Sequence, residues 1–178
     1  MNVEQTMFRS TEDGRWFRIL FIDPGITGSG CAFWKELVRK ADGKASPPDI
    51  TEVLSPPTKD SWPSRVRMLS AWMHGLVHSL LPTHIVIEFP ELWSGSAISQ
   101  ASASTGSLFK LTYLVGAYGE IARDHIGREP VLVSPNTWKG QLSKVAVKAR
   151  IARALDNEEY REHIADAVGM GLAVQGRL

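Results

Sequence analysis

Four side chains in this sequence combine a type that holds hard cations or moves protons with a position that could build a site. Asp23 and Glu88 each close a short apolar run, and His163 and Asp166 stand three residues apart near the C-terminus. Each also has an ordinary use. Asp-Pro-Gly at 23–25 begins turns easily, Glu88 could be a solvated strand end, and a polar pair at i, i+3 could be the wet stripe of a helix. Taken together they form a different set. Three carboxylates offer oxygen ligands suited to Mg²⁺ or Mn²⁺, with one imidazole as a softer addition. Two such ions about 4 Å apart can hold a phosphodiester between its attacking and leaving oxygens.

Such a site requires distant stretches of chain to meet, and the patterning says how. The run 18–23 (RILFID) is too short for a helix and suits a strand buried on both faces. A glycine-punctuated turn (Gly25, Gly28, Gly30) leads to a second strand around 31–34, and a third is expected at Ile50–Leu54. From Ser64 the period changes. Val66, Leu69, Met73, Leu76, Val77 and Leu80 mark an amphipathic helix that Pro82 ends. A strand at His84–Glu88 follows. A Ser/Gly-rich stretch then leads to a long helix ending near Asp124 and rich in small residues (Ala101, Ala103, Gly106, Gly116, Gly119). A fifth strand is expected at 130–134, a loop at 138–141, a basic helix at 144–155 and a last helix at 158–174. Residues 1–15 read as a loose tail and 16–178 as one domain.

Three successive strands, then two separated by helices, imply an α/β fold: a mixed five-stranded sheet, antiparallel first and parallel after, flanked by helices. A right-handed crossover can set the fourth strand beside the first. Sites in open sheets gather at the carboxyl ends of adjacent strands, where Asp23 and Glu88 both fall. The last helix can pack His163 and Asp166 across them.

The 178 residues carry 20 basic and 19 acidic side chains, a net charge of +1, so the chain as a whole is not polybasic. The distribution matters more. Between Pro130 and Leu155 stand Lys139, Lys144, Lys148, Arg150 and Arg153 without one acidic residue. They are either a solvated helix face or a phosphate-binding surface with salt-dependent affinity. One cysteine, Cys31, excludes an internal disulfide and a cysteine-rich zinc site. No apolar run is long enough to span a bilayer and no signal-peptide pattern opens the chain, so no membrane role and a cytoplasmic location are expected. His74 and His78 share a helix face at zinc-binding spacing, but no third ligand is evident and an exposed face explains them.

The blocks IDPGITGSG (22–30), VIE (86–88) and HIADA (163–167) resemble, in this order, the three active-site blocks of RuvC-type Holliday junction resolvases, a group with the ribonuclease H-like fold. The resemblance spans roughly residues 18–174. It implies that Asp23, Glu88, His163 and Asp166 are the catalytic and metal-binding positions for two Mg²⁺ ions per site, or Mn²⁺ in their place, with no small-molecule cofactor. His163 stands where some members carry Asp. It further implies that Lys139, Lys144, Lys148 and Arg150 touch DNA backbone, and that an aromatic after Glu88, Trp93 or alternatively Phe89, stacks on bases near the junction centre. The small-residue helix would form a two-fold dimer, giving two sites for paired nicks in a four-way junction. Cutting of flaps and forks, or a non-catalytic DNA-binding module of the same fold, are the alternatives to junction resolution.

Overall fold

A computed structural model describes residues 15–38, 45–90, 105–156 and 159–178. In chain order the elements are β1 (Arg15–Asp23), β2 (Ser29–Val38), β3 (Ile50–Leu54), α1 (Trp62–Leu80), β4 (His84–Glu88), α2 (Ser107–Ile126), β5 (Val131–Val133), α3 (Pro135–Lys139), α4 (Lys144–Ala154) and α5 (Glu162–Val174).

The five strands form one sheet in the order β3-β2-β1-β4-β5. β1 to β3 run as an antiparallel meander, and β4 and β5 lie parallel to β1. This is the mixed sheet that the element order implies, with β4 beside β1. The apolar run of β1 divides its side chains by the period of a strand. Ile19 and Phe21 enter one core with Trp34, Val86 and the apolar face of α5, while Leu20 and Ile22 enter a second with Phe33, Ile85 and Ile87. α1 and α2 cover that second face through Val66, Leu69, Met73, Leu114 and Tyr118; α4, α5 and Trp138 cover the first. A strand sealed on both faces needs apolar residues at successive positions, which is why 19–22 reads as an unbroken hydrophobic run.

Several boundaries differ from those expected. β1 begins at Arg15 rather than near 18; the tail expected before it lies outside the described residues. α2 starts at Ser107 because Gly106 takes a left-handed φ of 70° at the cap, so Gly106 is not part of the helix. Ala101 and Ala103 lie outside the described residues. The stretch expected as a loop at 138–141 instead begins within the short helix α3, whose N-cap Ser134 accepts a hydrogen bond from the Thr137 amide. α5 begins at Glu162, not near 158, because Arg161 is extended at the cap. The later start places His163 in the first turn, at the end of the helix that meets the sheet.

Candidate active site

Strand register sets the first two carboxylates side by side. Ile22 pairs with Ile87 across the parallel β1–β4 ladder, so Asp23 and Glu88 are each the next residue at neighbouring strand ends. β5 then aligns Val133 with Glu88. The first turn and a half of α5 lies across these ends. His163 Nδ1 is 2.7 Å from Asp23 Oδ2 and donates to it. Asp166, one turn on, has Oδ1 3.8 Å from the Lys139 ammonium. Asp23 is 6% exposed and Asp166 9%. Carboxylates this covered require charge or hydrogen-bond partners; Asp23 has the His163 hydrogen bond and Asp166 the charge of Lys139.

Glycine is what lets α5 come so close. A Cβ at Gly30 would lie 2.5 Å from the His163 carbonyl carbon, and one at Gly28 would press on the His163 ring at 3.3 Å. The β1–β2 turn that carries these glycines is braced from behind. Ser29 Oγ accepts from the Gly25 amide at 3.1 Å and from the buried Tyr118 hydroxyl at 2.9 Å. Tyr118 comes from α2 on the far core, so both layers hold the turn that follows Asp23.

Glu88 is oriented by Trp138, the indole that precedes Lys139 in α3. Trp138 Nε1 donates to Glu88 Oε2 at 2.7 Å. The indole is itself seated against Gly169 of α5, where a Cβ would stand 2.6 Å from the ring. Lys139 Nζ lies over the same indole, 4.7 Å from its centroid. The short helix α3 thus delivers a hydrogen-bond donor to Glu88 and a cation to Asp166.

The electrostatics are those of crowded acids. Burial pushes the Glu88 carboxyl up to about 7, and repulsion from Asp23 adds to it. Burial likewise raises Asp23 above the usual carboxylate range against the opposing pull of His163, and repulsion from Asp166 adds to the rise. The hydrogen bond to Asp23 holds the His163 imidazolium above its ordinary range. A pocket that holds two buried acids above their ordinary range is short of positive charge. Its oxygen-rich donor set fits a hard divalent cation. Among the described residues, however, no three ligands are drawn onto a common point as they stand. Asp23 is engaged by His163, Glu88 by Trp138, and Asp166 faces Lys139.

The basic run divides. Lys139 lies inside the pocket. Lys144, at the start of α4, is paired with Glu162, the neighbour of His163, and Lys148 follows one turn on. Arg150 is exposed on another side of α4, beside Arg153 and Arg177 around a recess of about 370 Å³. Trp93 lies outside the described residues; Phe89, just past Glu88, is half-buried against the α1–α2 core. No helix among the described residues is long and apolar enough to cross a membrane.

The mixed five-stranded sheet flanked by helices is the fold seen in solved RuvC structures. Among solved structures, it is similar to Thermus thermophilus RuvC in complex with a Holliday junction substrate, with a TM-score of 0.65, 21% identity, and coverage of 89% of this chain and 92% of that one. It is also similar to T. thermophilus RuvC in a second structure (TM-score 0.60, 20% identity, 89% and 95% covered). The yeast mitochondrial Holliday junction resolvase gives a TM-score of 0.56 at 20% identity, with 98% and 85% covered. No protein-family profile matches the chain, and no curated protein sequence does either.

Proposed function

We propose that this chain is a divalent-metal-dependent endodeoxyribonuclease that resolves four-way DNA junctions by paired, symmetric nicks. The observation that carries the reading is the meeting of Asp23 and Glu88 at adjacent strand ends with His163 and Asp166 on α5. The fold is shared with structures of Holliday junction resolvases, one of them holding its junction, which supports the choice of substrate.

In this reading Asp23, Glu88 and Asp166, with His163, hold two Mg²⁺ ions, with Mn²⁺ as an alternative. The ions, when bound, lower the pKa of the attacking water and offset charge on the leaving 3′ oxygen. The protein supplies the rest. Trp138 fixes the Glu88 carboxylate, the glycine turn and Tyr118 fix Asp23, and His163 releases Asp23 for coordination. Lys139 balances the Asp166 charge and can turn to a phosphate. Lys144, Lys148 and Arg150 neutralise the DNA backbone, and Trp93 or Phe89 stacks on bases at the junction centre.

We further propose that the active form is a two-fold dimer built on α2. Phe109 (71% exposed) and Tyr113 (63% exposed) project from that helix. Among the described residues nothing lies within 4 Å of a Cβ built at Gly116 or Gly119, so packing among them does not account for these glycines. Two equivalent sites related by a dyad match the symmetry of a four-way junction. An enzyme of this kind would act in the cytoplasm of a bacterial or phage-infected cell.

The test is incubation with labelled four-way junction, flap, fork and linear duplex in Mg²⁺ and in Mn²⁺. Symmetric nicks confined to the four-way substrate are expected. Equal cutting of flaps and forks would replace resolution with general debranching, and junction binding without cutting in either metal would leave a DNA-binding module.

A further inference from the structure

Three histidines stand together away from the carboxylate pocket, on the α1–α2 side of the sheet. His74 and His78 lie one turn apart on α1, with their Nε2 atoms 3.2 Å apart and ring centroids 4.3 Å apart. His125, in the last turn of α2, meets His78 edge-on with centroids 5.9 Å apart. The sequence shows only the i, i+4 pair. The third imidazole arrives because α1 and α2 pack side by side over the second core.

A ring-to-ring hydrogen bond between two exposed imidazoles gains little over hydration. The same geometry has a more demanding match. Two nitrogen ligands at about 2.0–2.1 Å from one tetrahedral zinc stand about 3.3 Å apart, and their ring centroids stand roughly 5 Å apart. The Nε2 separation is close to the first value, and the two centroid separations bracket the second.

We propose that His74, His78 and His125 form a surface site for zinc or a similar late first-row divalent cation, stapling α1 to α2. Among the described residues no three ligands yet share one point, so the site is a preset pair that His125 completes, with water in the remaining position. Imidazole nitrogens select such ions over the hard Mg²⁺ that suits the carboxylate pocket. This site therefore does not depend on the catalytic reading.

The test is calorimetric titration of the full chain with Zn²⁺, alongside thermal unfolding with and without the ion. One zinc equivalent is expected to bind about a hundredfold more weakly in His78→Gln and at least tenfold more weakly in His125→Gln, and unchanged in Asp23→Asn. Zn²⁺ should raise the Tm of the wild type and of Asp23→Asn but not of His78→Gln. Melts without metal reveal any folding defect, and His74→Gln carries the same test if His78→Gln does not fold. No zinc binding by the wild type, equal affinity in the histidine variants, or loss of the equivalent in Asp23→Asn would each overturn the proposal.

Discussion

His163 Nδ1 lies 2.7 Å from Asp23 Oδ2, joining the first turn of α5 to the last residue of β1 across 140 positions of sequence. The contact holds the helix against the strand ends, and it occupies an oxygen that a cation would otherwise take. If the site loads metal, His163 must yield that oxygen. Because His163 is also a proposed ligand, His163→Ala is expected to bind Mn²⁺ more weakly than wild type and to lose most of its cleavage rate. Manganese titration followed by paramagnetic relaxation, run beside a nicking assay, checks both halves.

Glu88 sets a pH dependence of stability. Its folded pKa of about 7 stands above the ordinary 4.5. The folded state therefore favours the protonated acid. The resulting stability is fully present below the unfolded pKa and is lost as pH rises from there through the folded value, by a few kcal/mol at most. Glu88→Gln removes the charge but keeps the shape. It should unfold at higher temperature than wild type at about pH 8 and lose that advantage at about pH 5. Thermal melts across pH test this, and an equal difference at both pH values would show that burial of the Glu88 charge is not the cause.

Trp138→Phe keeps a ring against Gly169 but removes the donor to Glu88. A hydrogen bond to a charged group is worth roughly 1.5–3 kcal/mol, and its loss should raise the Glu88 pKa further. The expected result is a small drop in Tm and a pH–rate profile whose acidic limb moves to higher pH. A profile that keeps its position would reduce Trp138 to packing.

Gly30→Ala is expected to be among the most damaging single changes of the turn. The added methyl would meet the His163 backbone at 2.5 Å, where neither the strand nor the helix can yield easily. Overpacking of this kind typically destabilises by about 1–3 kcal/mol, and here it moves the helix that carries two site residues. Denaturant unfolding and cleavage should both suffer. Loss of cleavage with unchanged stability would mean that α5 adapts without strain.

Much of this was legible because chemistry and punctuation coincide. β3 and β4 fall at the residues expected, since prolines or polar loops bound them and their side chains suit a sheet. The two strand-end acids follow from apolar runs that stop on a carboxylate. What the sequence hid are partnerships made in three dimensions. α3 is five residues long, too short to show a helical period. The Trp138–Glu88 bond spans 50 positions, so an indole that looks like packing turns out to orient an acid. Tyr118 had no motif to mark it, and His125 joins His74 and His78 only once two helices are packed. The late start of α5 depends on one extended residue, Arg161, which no pattern flags.

The basic surface predicts a salt signature. Lys148→Ala should weaken junction binding and lower the slope of log affinity against log salt by about 1, as expected for one lost phosphate contact. A change in affinity with the slope untouched would argue against contact with the backbone.

The most direct measurement is a paired binding and cleavage assay of wild type and Asp23→Asn on a labelled four-way junction in Mg²⁺. Wild type should introduce paired nicks, while the variant binds the junction with similar affinity and cuts at least a thousandfold more slowly. Undiminished cutting by Asp23→Asn would remove that carboxylate from the chemistry and contradict the account.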